Sequence, residues 1–118
     1  MQTGEIWLVN LDPTIGDEIR KTRPVAVVNA GDAKNLRLAI VVPVTAWQSR
    51  WHDNPFFLIL EPRPRLGLVK RSAIDCFQIR TLSHQRFIKR LGTLDNDELT
   101  AIKTSLALIL DIDPEHCL

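Results

Sequence analysis

The sequence predicts a mainly β domain, a small and partly open barrel with one C-terminal α-helix. Three observations lead there. Gly and Pro punctuate a series of short apolar runs, the rhythm of an all-β chain. Several of those runs are rich in valine and isoleucine, which suit a pleated, buried surface. Past Asp95 the apolar period changes to that of a helix. At 118 residues the chain suits a single domain, residues 1–118, with a core large enough to need no staples.

The elements follow in order. Glu5–Leu11 alternates well enough for a strand, and Pro13, Gly16 and the charged residues after them make a loop. Pro24–Asn29 reads as a buried strand, Asn29–Asn35 as a turn and Arg37–Thr45 as a third strand. Ala46–Pro55 is a loop and Phe56–Leu60 a fourth strand. Pro62, Pro64 and Gly67 then break the chain. Leu68–Val69 and Ile74–Thr81 are read as further strands. Asp95 followed by Glu98 forms a capping-box pattern. Leu99, Ile102, Leu106, Ile109 and Leu110 recur at helical spacing, so Asn96–Leu110 is an amphipathic helix and Asp111–Leu118 a tail. Five to seven short strands and one helix make a small barrel.

Apolar residues make up 45% and charged residues 25%, which argues against disorder. The two cysteines, Cys76 and Cys117, make no disulfide framework. Cys76 lies in an apolar run and reads as a buried thiol, and Cys117 as an exposed one, usage that suits a reducing cytoplasm. No signal peptide pattern is visible, and runs such as Leu38–Val44 are too short to span a bilayer. Net charge is +1, but its distribution is uneven. Arg63–Arg90 holds eight basic residues and one acidic, so +7, whereas Leu91 onward is −5. The middle stretch could hold a polyanion, or could be an ordinary solvated set of cations.

Chemistry concentrates in Gly4–Val28, GEIWLVNLDPTIGDEIRKTRPVAVV. Its frame is a strand, then Pro13-x-x-Gly16-x-Glu18, then Lys21-x-Arg23-Pro24, then a strand. Arg23 precedes a proline and is therefore pushed to an extended backbone. Its guanidinium can hold a phosphate through two parallel hydrogen bonds. Thr45 ends a strand and offers a small hydroxyl donor. Glu18 lies on the loop before Arg23. A carboxylate, a guanidinium and a hydroxyl suit RNA cleavage, in which a 2′-hydroxyl loses a proton, a phosphorane is stabilised and a 5′-oxygen gains a proton. The plainer alternative is a salt bridge that ties down a loop and a β-forming threonine.

The same segment closely resembles the opening of the MazF/PemK toxins. Val41-Val42-Pro43-Val44-Thr45 resembles the family's strand ending in Pro-x-Thr, and Gln78-Ile79-Arg80-Thr81 its Gln-Ile-Arg-Thr element. The resemblance covers nearly the whole chain. It implies an SH3-like partly open barrel of the MazF/Kid/CcdB kind and a cytoplasmic homodimer. It implies a metal-independent, sequence-specific endoribonuclease without cofactors. Such an enzyme cuts single-stranded mRNA to 2′,3′-cyclic phosphate and 5′-hydroxyl ends and arrests growth. A cognate antitoxin would place an acidic segment in the basic groove. DNA would be met only indirectly through an antitoxin complex, and no membrane is involved.

Arg23, Thr45 and Glu18 are then the expected catalytic residues. Arginine keeps its proton at neutral pH. Glu18 is therefore the expected general base, Arg23 a phosphate clamp and proton donor, and Thr45 an oxyanion donor. Lys21, Gln78, Arg80, Trp47 and Asp75 are expected to contact RNA. Strand alternation puts Gln78 and Arg80 on one face. Many relatives carry an acid just before that glutamine, where this chain has Phe77; Asp75 could stand in for it in part. Trp47 and Trp51, beside Arg50, could stack on bases or cover the barrel. Phe56 and Phe57 are expected to be partly core. His52, His84 and His116 are scattered and make no catalytic pair. His116 and Cys117, near Asp113 and Glu115, lack zinc spacing. Two other readings share the architecture: a non-enzymatic gyrase poison of the CcdB type, and a barrel module that only binds RNA or protein.

Overall fold

Two central segments are apolar on both faces, and the sheet is built around them. In PVAVV, Val25, Ala26 and Val27 are all buried; in VVPV, Val41, Val42, Pro43 and Val44 are all buried. A strand covered on both sides reads as a continuous apolar run rather than an alternation. The structure, a computed structural model, describes residues 1–31 and 35–113. Its strands are β1 (Glu5–Asn10), β2 (Thr22–Val27), β3 (Leu38–Ala46), β4 (Phe57–Leu60), β5 (Ser72–Asp75), β6 (Arg80–Ser83) and β7 (Phe87–Thr93); its helix is α1 (Asn96–Ile109). The sheet order is β4-β5-β3-β2-β1-β7, with β6 also on β3, and every pairing is antiparallel. The end strands β4 and β7 do not pair with each other, so the barrel stays open.

The core falls into two clusters on opposite faces of β2 and β3. Ile6, Ala26, Val42, Val44, Leu60, Leu66, Ile74, Cys76, Leu94 and Ile102 form one, and Leu99, Leu106 and Ile109 of α1 pack on it. Val9, Leu11, Val25, Val27, Ala39, Val41 and Leu82 form the other, flanked by Trp7, Ile19 and Phe87. The helix begins where its capping box places it. Glu98 N–H donates to Asp95 Oδ1 and Asp95 N–H to Glu98 Oε1, both at 2.8 Å. Leu110 is its C-cap. No helix among the described residues is long and apolar enough to cross a membrane.

Several expected elements differ. Leu68–Val69 is not a strand, because Gly67 at φ +69° has already turned the chain. The expected strand Ile74–Thr81 is interrupted by one turn of 3-10 helix, Cys76–Gln78, started by Asp75 accepting from Phe77 N–H. A similar turn, Ser49–Trp51, lies inside the expected loop after β3. Strand β7 (FIKRLGT) went unread; Lys89, Arg90 and Gly92 hide its pattern, as befits an edge strand with little to bury. Phe56 and Phe57 are half-buried and join neither core cluster. Glu115, His116, Cys117 and the end of the tail lie outside the described residues.

One crossing positions much of the rest. After Arg63 the chain makes a 3-10 turn, Pro64–Leu66, and passes over β7 at Gly67 and Gly92. A Cβ on Gly67 would overlap the Leu91 carbonyl, and one on Gly92 would overlap the Arg65 and Leu66 carbonyls. Arg65 fastens the crossing: Nη1 donates to Thr93 O at 2.9 Å and to Glu98 Oε1 at 2.8 Å. Gly92→Ala should cost about 1–3 kcal/mol or more through overpacking against backbone. In urea unfolding that loss should exceed the loss in Gly16→Ala, where open space surrounds the new methyl group.

Candidate active site

The cavity that holds the expected catalytic pair exists because β2 parts from β3 before β3 ends. Its middle pairs with β2, Val27↔Val41, Ala26↔Val42 and Val25↔Pro43. On the opposite edge its end pairs with β5, Val44↔Ile74, Thr45↔Ala73 and Ala46↔Ser72. Pro24, whose nitrogen faces β3, has no N–H to extend the β2–β3 ladder. Two residues past the last pair, the same register sets Arg23 opposite Thr45, with the strands parted. The gap is a cavity lined by Arg23, Pro24, Val44, Thr45, Lys70 and Leu91, and Gly67–Val69 from the β7 crossing form its rim.

Within this cavity the polar groups are available. Arg23 is half-buried, and its Nε donates to Arg20 O at 3.3 Å. Among the described residues no carboxylate pairs with Arg23 or Lys70, and no hydrogen bond engages the Thr45 hydroxyl. Two cationic groups and one hydroxyl therefore face an unfilled space, an arrangement that can hold a phosphate and stabilise charge built on it. Lys70 was not singled out from the sequence; its only signal was membership of the basic stretch.

Glu18 is not brought into this cavity. Its Oε1 accepts from Ile15 N–H at 2.6 Å, which ties the carboxylate to its own loop. Thr45 also lines a second depression, with Asp17, Ile19, Trp51, Asp75 and Gln78. A third depression follows, lined by Asp17, Glu18, Phe77, Gln78, Ile79 and Arg80. Gln78 and Arg80 do not alternate along one strand, because Gln78 belongs to the 3-10 turn and Arg80 opens β6.

Gln78 has both ends of its amide engaged. Its Oε1 accepts from Ile19 N–H at 2.7 Å, and its Nε2 donates to Asp75 Oδ2 at 3.0 Å and to Asp17 O at 3.4 Å. It straps the loop between β1 and β2 to the body. The strap fixes the chain just before Arg20, whose carbonyl orients Arg23. The base of the loop is closed by Leu11 N–H to Lys21 O at 2.9 Å and Lys21 N–H to Asp12 Oδ1 at 3.0 Å. Lys21 itself is exposed at φ +71° and lines none of the three depressions.

Asp75 anchors this strap while only 4% exposed. Burial pushes its carboxyl above the usual range, opposed by hydrogen bonds from Gln78 and Phe77. A raised folded value favours the folded state in acid, and the contribution fades as pH rises through that value. Trp51 stacks on Phe57 at 4.3 Å and meets Trp47 edge-on at 6.2 Å, while Arg50 lies over the Trp51 ring. Trp47 lines none of the depressions, whereas Trp51 lines the second.

Half of the basic stretch is engaged structurally. Arg65 pairs with Asp95 and Glu98, Arg71 with Glu61 and Arg90 with Glu5. Arg86 donates to the Asn10 and Asp12 carbonyls. Arg63, Lys70, Arg80 and Lys89 form no ion pair among the described residues. His52 and His84 lie apart from the Arg23 cavity, and the described residues hold no group of metal ligands.

The sheet order gives a small open barrel, with Arg23 and Thr45 lining the cavity at its splayed seam. Residues 2–110 match the PemK-like, MazF-like toxin family of type II toxin–antitoxin systems, and the chain belongs to that family. Endoribonuclease PemK of Escherichia coli is 36% identical over 93% of this chain and 82% of its own length. Endoribonuclease MazF9 of Mycobacterium tuberculosis is 33% identical over 95% of this chain and 98% of its own. A crystal structure of MazF from Deinococcus radiodurans shares the fold, with a TM-score of 0.79 and 24% identity over 95% of this chain and 97% of that one.

The strap makes the loop testable by itself. Gln78→Ala should speed exchange of the Ile19 amide proton at least about tenfold and cost about 1–3 kcal/mol, the usual range for leaving a part-buried partner unsatisfied. Amide exchange read by NMR checks the first, and urea unfolding the second.

Proposed function

We propose that this toxin is an endoribonuclease that cuts single-stranded mRNA at the Arg23–Thr45 cavity. Its curated relatives named above are endoribonucleases at 33–36% identity, which disfavours a non-enzymatic gyrase poison or a plain binding barrel. The observation that carries the site assignment is the placing of unpaired Arg23 opposite the free Thr45 hydroxyl, with Lys70 in the same cavity. In the proposed reaction the 2′-hydroxyl gives its proton to solvent, its oxygen attacks the adjacent phosphorus and the bond to the 5′-oxygen breaks; Arg23, which protonates that oxygen, is reprotonated from solvent. The products are a 2′,3′-cyclic phosphate and a 5′-hydroxyl. Arg23 clamps the phosphate and protonates the leaving oxygen, Thr45 donates to the phosphorane oxygen, and Lys70 adds positive charge. Because Glu18 lines a different depression, the reading rests on Arg23 and Thr45.

Partners follow the same reading. Structures similar in fold include MazE-MazF of Deinococcus radiodurans and a mycobacterial endoribonuclease with its cognate antitoxin. An antitoxin for this chain would cover the cavity with an acidic segment, meeting Arg23, Lys70 and Arg63. Leu108, Leu110 and Ile112 are exposed around the end of α1, which supports a homodimer of this chain; the reading places that dimer in the cytoplasm, where mRNA is.

The purified protein should cut a long single-stranded RNA into discrete fragments in EDTA. Arg23→Ala should lower the rate about 10²–10³-fold, the scale of losing one charge-stabilising donor. Fragments that persist at the wild-type rate in Arg23→Ala would remove this cavity from the chemistry.

A further inference from the structure

Phe77 is 62% exposed, yet it is held firmly. Its N–H donates to the buried Asp75 Oδ1 at 3.1 Å, and its ring leans on Phe56 at 5.6 Å between centroids. It joins neither core cluster, so the packing of the fold does not account for an aromatic side chain there. A rigid ring with an open face can stack a nucleobase without first being ordered.

The surroundings choose among ligands. The depression beside Phe77 has a volume of about 310 Å³, and Asp17, Glu18 and Arg80 are among the residues that line it. Glu18 uses one oxygen on Ile15, and neither its second oxygen nor the Asp17 carboxylate has a hydrogen-bond partner among the described residues. Two carboxylates repel a phosphate but accept hydrogen bonds from the amino group of a base, as carboxylates do with cytosine. Arg80, without an ion pair among the described residues, offers the positive charge a neighbouring phosphate needs. Shared lining residues link the depression to the cleavage cavity by way of the second depression. Thr45 lines the first and second depressions, and Asp17 and Gln78 line the second and third.

We propose that Phe77, Arg80, Asp17 and Glu18 form a subsite for a nucleotide flanking the cleaved bond, specific for a base that carries an amino group. Adenine, guanine or cytosine stacks on Phe77 and donates its amino N–H to the carboxylates, while Arg80 faces the phosphate. Uracil has no amino group to donate. The subsite rests on the ribonuclease reading and adds a choice of base to it.

The test uses 2′-O-methyl oligonucleotides, which bind without being cut, built on the cleavage sequence mapped for the full-length protein. They are lengthened one nucleotide at a time at either end. Affinity should rise at one step by about tenfold, as for one stacked base, and more for adenine, guanine or cytosine than for uracil. That step should vanish in Phe77→Ala, return in Phe77→Trp and lose its preference against uracil in the double variant Asp17→Asn, Glu18→Gln. Thermal melting confirms that each variant is folded. If Phe77→Ala keeps the step, or uracil binds as well as the others, the subsite is wrong while cleavage by the wild type can stand. If Phe77→Ala instead shifts the sedimentation of the protein and leaves RNA affinity intact, Phe77 is an assembly contact and the proposal falls. A wild-type protein that neither binds nor cuts RNA overturns both readings.

Discussion

The parting of β2 from the end of β3 is the constraint on which the rest depends. A strand has two edges, and one edge of β3 has β2 beside its middle and open space beside its end. The other edge is shared between β6 near Leu38–Val41 and β5 near Val44–Ala46. Pro24 withholds the N–H group that would let β2 and β3 stay zipped. The strands therefore part where two polar residues follow the buried runs. A cavity in a strand seam has rigid walls, because Val25, Val27, Val41 and Val42 on the neighbouring positions are fully buried. Side chains presented from such walls need little ordering when a ligand arrives.

The far wall of the cavity comes from a different part of the chain and depends on two absent side chains. Gly67 and Gly92 allow the Pro64–Leu66 turn to lie against β7, and Arg65 links that turn to the first turn of α1. Lys70 reaches the cavity only because this crossing is tight. The helix, the edge strand and the cationic site are thereby coupled through one close backbone contact. Gln78 plays the matching part on the other side, where its amide joins the buried Asp75 to the loop that leads into β2.

Much of this was legible in the sequence where a residue's neighbours in sequence decide its state. The apolar runs became β2 and β3, the Asp95–Glu98 pattern became the capping box, and Cys76 is buried. The motif around Arg23, the Pro-x-Thr ending at Thr45 and the Gln-Ile-Arg-Thr element pointed to the family. Legibility failed where packing overrode pattern. Strand β7 hides behind charges because an edge needs no alternation, and the supposed strand at Leu68–Val69 is turned out by Gly67. Charge counting misled in part, since Arg65, Arg71, Arg86 and Arg90 serve the fold.

The sequence by itself determined the fold class, the terminal helix and the family, because these rest on local period, capping chemistry and a contiguous motif. Only the tertiary structure decided which of the expected site residues meet. Arg23 and Thr45 come together through a strand register, and a register is set by turns and buried faces spread over the chain. Glu18, five residues from Arg23 in sequence, lines another depression because its carboxylate is taken by Ile15 N–H within its own loop. Nearness along the chain fixes which groups can bond locally; nearness in space at a cleft depends on how distant strands pair and part.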